Sequence, residues 1–346
     1  MILPEILASE HELENLLAEP YPETIALMRR LPGDIMILGV GGKMGPSLAR
    51  LTHRAAQEAG VRKRILGVSR FSEPEQRKAL DDAGIETIVC DLAEPEAVAA
   101  LPEVENILYL AGRKFGSRGS EALTWILNTI APAQVARRCA NSRVVAFSTG
   151  CVYPLVAPAS GGCRESDPPA PIGEYANSCM GRERIFDYYS RRLGFPLLHF
   201  RLNYAVEPRY GVLVDIARQV LRDEPVDCGV PAVNVIWQGD ANNRALLALE
   251  KAAAPSEILN VTGPEILPVA DLARQFGELL DTPVRLRGTP GETCYLSNAT
   301  RSVEWFGPPR VPVSTLMRWT ADWLRRGGKQ LDKPTHFQVT DGQFLD

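Results

Sequence analysis

Short, nearly continuous apolar runs alternate along the first half of the chain with stretches whose apolar residues recur at helical spacing. Ile35–Leu38, Ile65–Val68, Ile85–Val89, Asn106–Leu110 and Val144–Phe147 have the length and texture of strands covered on both faces. The stretch after the first run carries Met44, Leu48, Leu51 and Ala55 on one helical face and stops at Gly60. Ser72-Glu73-Pro74-Glu75 has the S-x-x-E form of a capping box. Further along, Pro196–Asn203, Ala232–Trp237 and Ile258–Val261 read as strands. Helices are expected at Val212–Leu221, Ala241–Ala252 and Ala270–Leu280.

This alternation predicts an α/β protein: a doubly wound parallel sheet (Rossmann) with a smaller interwoven C-terminal substrate lobe. The expected divisions are a helical N-terminal extension over 1–33, a dinucleotide-binding Rossmann domain over 34–195, a mainly substrate-binding lobe over 196–331, and a tail over 332–346. In the extension, Leu13, Leu16 and Leu17 share a helical face, and a second short helix over Glu23–Leu31 follows Tyr21-Pro22. Both helices are expected to pack on the domain behind them.

Composition narrows the function classes. Among 346 residues, 38 Lys and Arg against 42 acids leave a net charge of −4, which supplies no broad cationic field for a phosphate backbone. No nucleic-acid partner is expected. No apolar run approaches the roughly 20 residues of a membrane helix, and Met1-Ile2-Leu3-Pro4-Glu5 lacks the basic start of a signal peptide. The seven cysteines are scattered and the four histidines are not at ligand spacing, so reduced thiols, no metal and a cytoplasmic location are expected.

The sharpest motif is Gly39-Val40-Gly41-Gly42-Lys43-Met44-Gly45, which follows the first strand and opens a helix. Its turn must let backbone N–H groups approach a pyrophosphate at a helix N-terminus, and side chains would obstruct that approach. Cofactor contacts are therefore expected from Gly39, Gly41, Gly42, Lys43, Met44 and Gly45. Ser69 and Arg70 end the second strand where an acid would hold a ribose hydroxyl. Arg suits a 2′-phosphate, so NADP is favoured over NAD, with NAD still possible. Asp91 and Leu92 are placed to meet the adenine.

Three further segments complete a resemblance. Leu110-Ala111-Gly112 ends the fourth strand, Ser148-Thr149-Gly150-Cys151-Val152-Tyr153 ends the fifth, and Tyr175-Ala176-Asn177-Ser178-Cys179 opens a helix. With the glycine loop, these resemble the extended short-chain dehydrogenase/reductase family, the NAD-dependent epimerase/dehydratases, over roughly residues 34–325. The resemblance implies an NAD(P)-dependent oxidoreductase or epimerase acting by hydride transfer on a sugar, polyol or sugar-acid derivative. It implies Tyr175 as general acid/base, Thr149 with Ser148 orienting the reacting oxygen, and Ala111, Gly112, Asn128 and Asn203 supporting the cofactor. It further implies a homodimer paired through helices near 120–140 and 176–193.

One departure bears on the chemistry. The family pattern is Y-x-x-x-K, and the lysine position here holds Cys179. A phenol with a pKa near 10 costs about 4 kcal/mol to ionise at pH 7, and a neutral thiol does little to offset that. Lys114 and Arg113 are candidates for the missing charge, with Arg113, Arg118 and Arg209 as candidate substrate contacts. Gly150-Cys151 stands where the family's dehydratases carry an Asp-Glu pair, which disfavours dehydration. The alternative is a non-catalytic NADP(H)-binding sensor or partner protein that lost turnover with the lysine.

Overall fold

The computed structural model describes residues 3–114, 119–331, 333 and 335–342. Seven strands form one parallel sheet: β1 Ile35–Leu38, β2 Ile65–Ser69, β3 Glu86–Val89, β4 Asn106–Tyr109, β5 Arg143–Thr149, β6 Leu197–Leu202 and β7 Glu257–Val261. Their spatial order is β7-β6-β5-β4-β1-β2-β3. Every residue of β1 and β4 is buried, as their unbroken apolar runs require. The chain steps outward from β1 to β3 and then returns to lay β4 beside β1, with Leu38 opposite Tyr109. That reversal opens a crevice at the carboxyl ends of the strands, where α/β sheets bind ligands.

The helix Gly45–Ala59 has Leu48, Leu51 and Ala55 fully buried against the sheet. It ends on Gly60 at φ 70°, a left-handed C-cap that favours glycine. The sheet takes strands from both sides of residue 195, because β6 and β7 continue it beyond β5. The outer lobe therefore hangs from the sheet by several crossings. Its core joins helices Val212–Leu221, Val269–Leu280 and Val313–Arg325, with Trp237 and Trp319 in edge contact at 5.5 Å between ring centroids.

Three local expectations are corrected. The helix after β2 starts at Pro74 with Glu73 as an uncapped N-cap, so Ser72 makes no capping box; a proline suits the first helical position and moves the start by one residue. Ala232–Trp237 is two short pieces, Ala232–Val233 and Ile236–Trp237, which pair with different partners. The break falls at Asn234, whose side-chain amide donates to the Ser297 carbonyl at 2.7 Å. The helix expected over Ala241–Ala252 runs instead over Gln238–Leu247 and continues as a 3-10 turn to Lys251.

Every residue of that Gln238–Leu247 helix is buried, and its polar residues receive the N-terminal extension. Asn243 Oδ1 accepts from the Tyr21 backbone N–H at 2.9 Å and the Thr24 hydroxyl at 2.7 Å. Asp240 Oδ1 accepts from the Tyr21 hydroxyl at 2.9 Å and the Arg310 backbone N–H at 2.9 Å. Asp240 thus ties three segments together. The extension packs on the body of the protein as its apolar spacing predicted, with Leu13 and Leu17 fully buried.

Candidate active site

At the carboxyl edge of the sheet, the glycine loop lies between two adjoining cavities of about 250 and 260 Å³ that share Gly39, Gly42 and Leu110. The loop turns where side chains have no room. A Cβ on Gly39, at φ 88°, would lie 2.6 Å from the Ala111 backbone N, and one on Gly45 would lie 2.2 Å from the Val40 carbonyl oxygen. At Gly42 the nearest atom to such a Cβ is the Gly39 carbonyl oxygen at 3.3 Å. The loop therefore presents bare backbone to the crevice while its helix seats against β1, a cradle that fits a dinucleotide's phosphates.

The outer cavity is lined by Gly41, Ser69, Arg70, Asp91, Leu92, Ala111 and Gly112, so the structure brings these predicted residues together. Ser69 lies against Gly41, where an added Cβ would meet its hydroxyl at 2.6 Å. Arg70 has a side chain 60% exposed and stands 3.9 Å from the Asp91 carboxylate.

The inner cavity is lined by Lys43, Met44, Ser148, Thr149, Tyr175 and Asn203, and also by Lys114. The chain supplies most of these from four places: the glycine loop, the end of β5, the start of the helix Gly173–Leu193, and the segment after β6. The Thr149 hydroxyl is in hydrogen-bonding contact with Tyr175 and accepts from the Cys151 backbone N–H at 3.2 Å. Burial raises the Tyr175 phenol well above its ordinary value, while Arg182 and the Thr149 hydroxyl pull the other way. Burial likewise pushes the Cys179 thiol up to about 11, so it is neutral at pH 7. The Ser148 hydroxyl donates at 2.5 Å to Glu183, which also takes a two-pronged bond from Arg201 at 2.9 and 2.6 Å.

Two ammonium groups face this cavity. Lys43 Nζ donates to the Ala205 carbonyl at 3.0 Å and sits 4.0 Å from the centroid of the Tyr210 ring. Burial lowers it to about 7, with Arg209 and Lys114 adding to the fall and Glu207 opposing it. Lys114 Nζ lies 6.0 Å from the centroid of the Tyr175 ring and donates to the Thr335 carbonyl at 3.4 Å; burial lowers its pKa also. Tyr204, Tyr210 and Thr335 close the rim. Neither tyrosine was itself expected as a site residue; Tyr204 takes the left-handed φ of 45°.

Other candidates sit elsewhere. Arg209 does not line either cavity; it is held by Glu14 at 2.6 Å and Glu207 at 3.1 Å, so its charge is already met. Asn128 is fully buried behind the crevice, where its side-chain oxygen accepts from the Arg113 backbone N–H at 2.8 Å and its amide donates to the Arg113 carbonyl at 3.0 Å. Arg113 lines neither cavity. Arg118 lies outside the described residues. Asn203 turns its amide to Asn234 Oδ1 at 2.8 Å.

Residues 35–261 match the model of the NAD dependent epimerase/dehydratase family. The chain belongs to this family. It is thereby an enzyme of the NAD(P)-dependent oxidoreductase and epimerase kind. A search of curated proteins finds no match. Among solved structures, UDP-glucose 4-epimerase from Thermus thermophilus in complex with NAD has 18% identity and a TM-score of 0.68, covering 84% of this chain and 99% of that one. A UDP-glucuronic acid 4-epimerase mutant from Bacillus cereus, in complex with NAD, has 17% identity and a TM-score of 0.71, covering 85% and 99%. A dTDP-glucose 4,6-dehydratase from Streptomyces venezuelae, with NAD bound, has 18% identity and a TM-score of 0.72, covering 85% and 97%.

These structures overturn the expectation of NADP: each of the three carries NAD. In this protein Arg70 has an exposed side chain 3.9 Å from the Asp91 carboxylate in the same cavity. Among the described residues, no helix is long and apolar enough to cross a membrane.

Proposed function

We propose that this enzyme moves hydride between NAD and a carbinol carbon of a sugar, polyol or sugar-acid derivative, as an oxidoreductase or an epimerase. The observation that carries the reading is the convergence of Tyr175, Thr149 and Ser148 on a cavity that opens onto the glycine loop. The similar structures named for UDP-glucose, UDP-glucuronic acid and dTDP-glucose support a nucleotide-linked sugar as substrate class.

Bound along Gly39, Gly42 and Gly45, NAD supplies the acceptor or donor of the hydride. The protein's own part is proton handling and orientation. Tyr175 Oη takes the proton of the substrate hydroxyl during oxidation and returns it during reduction. The Thr149 hydroxyl holds the reacting oxygen toward that phenol. Lys43 and Lys114 hold an acidic group of the substrate, the task expected of Arg209 before Glu14 and Glu207 were found to occupy it. Water elimination is disfavoured. A Cβ at Gly150 would lie 2.9 Å from Ser297 Oγ and 3.0 Å from Asn203 Oδ1, so a carboxylate side chain there would have to displace both.

Turnover is followed by nicotinamide absorbance and by chromatographic separation of epimeric products over acidic and neutral sugar nucleotides, together with NAD affinity by calorimetry. Tyr175→Phe is expected to lower kcat by about 10²–10⁴-fold with NAD affinity retained; unchanged turnover in this variant overturns the reading. Cys179 at the lysine position favours one second reading, a sensor that binds NAD without turnover. NAD uptake with neither net hydride transfer nor epimerised product across the panel establishes that alternative.

A further inference from the structure

Arg182 is 5% exposed and sits one turn beyond Cys179 on the Gly173–Leu193 helix. Its Nη1 donates to the Phe147 carbonyl at 2.9 Å and its Nη2 to the Asn128 side-chain oxygen at 2.6 Å, both neutral acceptors. Its Nε is buried with no hydrogen-bond partner among the described residues. The next residue, Glu183, is already held by Arg201 at 2.6 Å. A buried guanidinium bonded to neutral acceptors is costly unless an anion forms beside it.

Position explains which anion. Tyr175, Cys179 and Arg182 stand at i, i+4 and i+7, one face of the helix. Long helical side chains lean toward the N-terminus, so the arginine head lies over the preceding turn. The bonds agree: Asn128, which accepts from Arg182, also donates to the Ser178 hydroxyl at 2.9 Å. The guanidinium is therefore level with residue 178, in the turn where the family's lysine would begin. It also reaches the end of β4, since a Cβ at Gly112 would lie 2.2 Å from Arg182 Nη2.

We propose that Arg182 performs the electrostatic task of the absent lysine, stabilising the Tyr175 phenolate from one turn further along the helix. The inference rests on Tyr175 being the acid/base group. Arg182 acts through that phenol and is a positioning residue. The small Cys179 follows from the same arrangement, because a lysine there would set two cations side by side. Lys114 is left to the substrate, since it approaches the ring from the cavity side rather than along the helix.

The test titrates the phenol directly in full-length, NAD-saturated protein. Tyrosinate absorbance is recorded against pH, with Tyr175→Phe subtracted to isolate one residue. Arg182→Gln, which removes the charge and keeps a hydrogen-bonding head, is expected to raise the midpoint by about 1–2 pH units. Arg182→Lys is expected to stay near wild type. The double variant Arg182→Gln/Cys179→Lys is expected to return the midpoint toward wild type by putting a cation back one turn earlier. A midpoint unmoved by Arg182→Gln, or equal shifts in the Gln and Lys variants, overturns the proposal. Should Arg182→Gln not fold, Arg182→Lys with Cys179→Lys tests the same claim: a second cation must lower the midpoint further, and no fall overturns it. The titration needs no turnover, so an inert Tyr175 in catalysis and an uncoupled Arg182 give different results.

Discussion

Glu183 and Arg201 form an ion pair with side chains only 2% exposed each, and the Ser148 hydroxyl of the site hangs from the same carboxylate. Burial works against the Glu183 charge, and the Arg201 bonds outweigh it, holding the carboxyl below its ordinary value. A carboxyl lowered in the folded state stabilises the fold above the usual carboxylate range. That contribution fades as pH falls through the lowered value. Glu183→Gln leaves a buried guanidinium without its partner, and chemical denaturation at pH 7 is expected to show a loss of about 3 kcal/mol that shrinks toward pH 3. Lys43 has the opposite sign. Lowered to about 7, it carries its charge below that value and loses it above. KM for an acidic substrate is expected to rise between about pH 7 and 8 by up to about tenfold, and Lys43→Met is expected to remove that dependence.

At the scale of elements, the central strands were legible because β1 and β4 are buried throughout and their code is simply continuous apolarity, whereas the edge strand β3 leaves Val89 56% exposed. Ile35–Leu38 needed no adjustment, and Ile65–Val68 gained only Ser69. The Gln238–Leu247 helix was harder to read: Asp240, Asn242, Asn243 and Arg244 are polar yet buried, so amphipathic spacing could not find its start. The glycine loop was legible for the opposite reason, since its chemistry is local. Gly45 is the clearest case, with no space between helix and Val40. Gly45→Ala is expected to weaken NAD binding by about tenfold or more, as lifting the helix by even a fraction of an ångström withdraws its N–H groups from the phosphates. Calorimetric titration with NAD measures this directly.

For the whole molecule, the π-wound turn Ile126–Ile130 lies in a helical segment from Glu121 to Ala136 that packs on the Gly173–Leu193 helix. Leu123, Trp125, Ile126 and Ile130 on the first, with Tyr188 on the second, stay 39–54% exposed. These exposed apolar side chains lie on the helices expected to pair two subunits, where a contact surface is expected to gather residues of this kind. The double substitution Ile126→Glu/Ile130→Glu is expected to convert a dimer to a monomer by light scattering, with NAD affinity retained; wild type that is already monomeric sinks the pairing.

The order of apolar runs and the glycine spacing were enough to indicate the α/β sheet and the phosphate cradle, because a buried strand and a tight strand–loop–helix turn are each written in neighbouring residues. Two things were decided only by tertiary contact. Arg209 is taken up by Glu14, which is 195 residues away. Arg182, unmarked in the linear pattern, was brought by Asn128 to the turn of the missing lysine. Charge acts through space, and which charges meet depends on the packing of segments far apart in the chain.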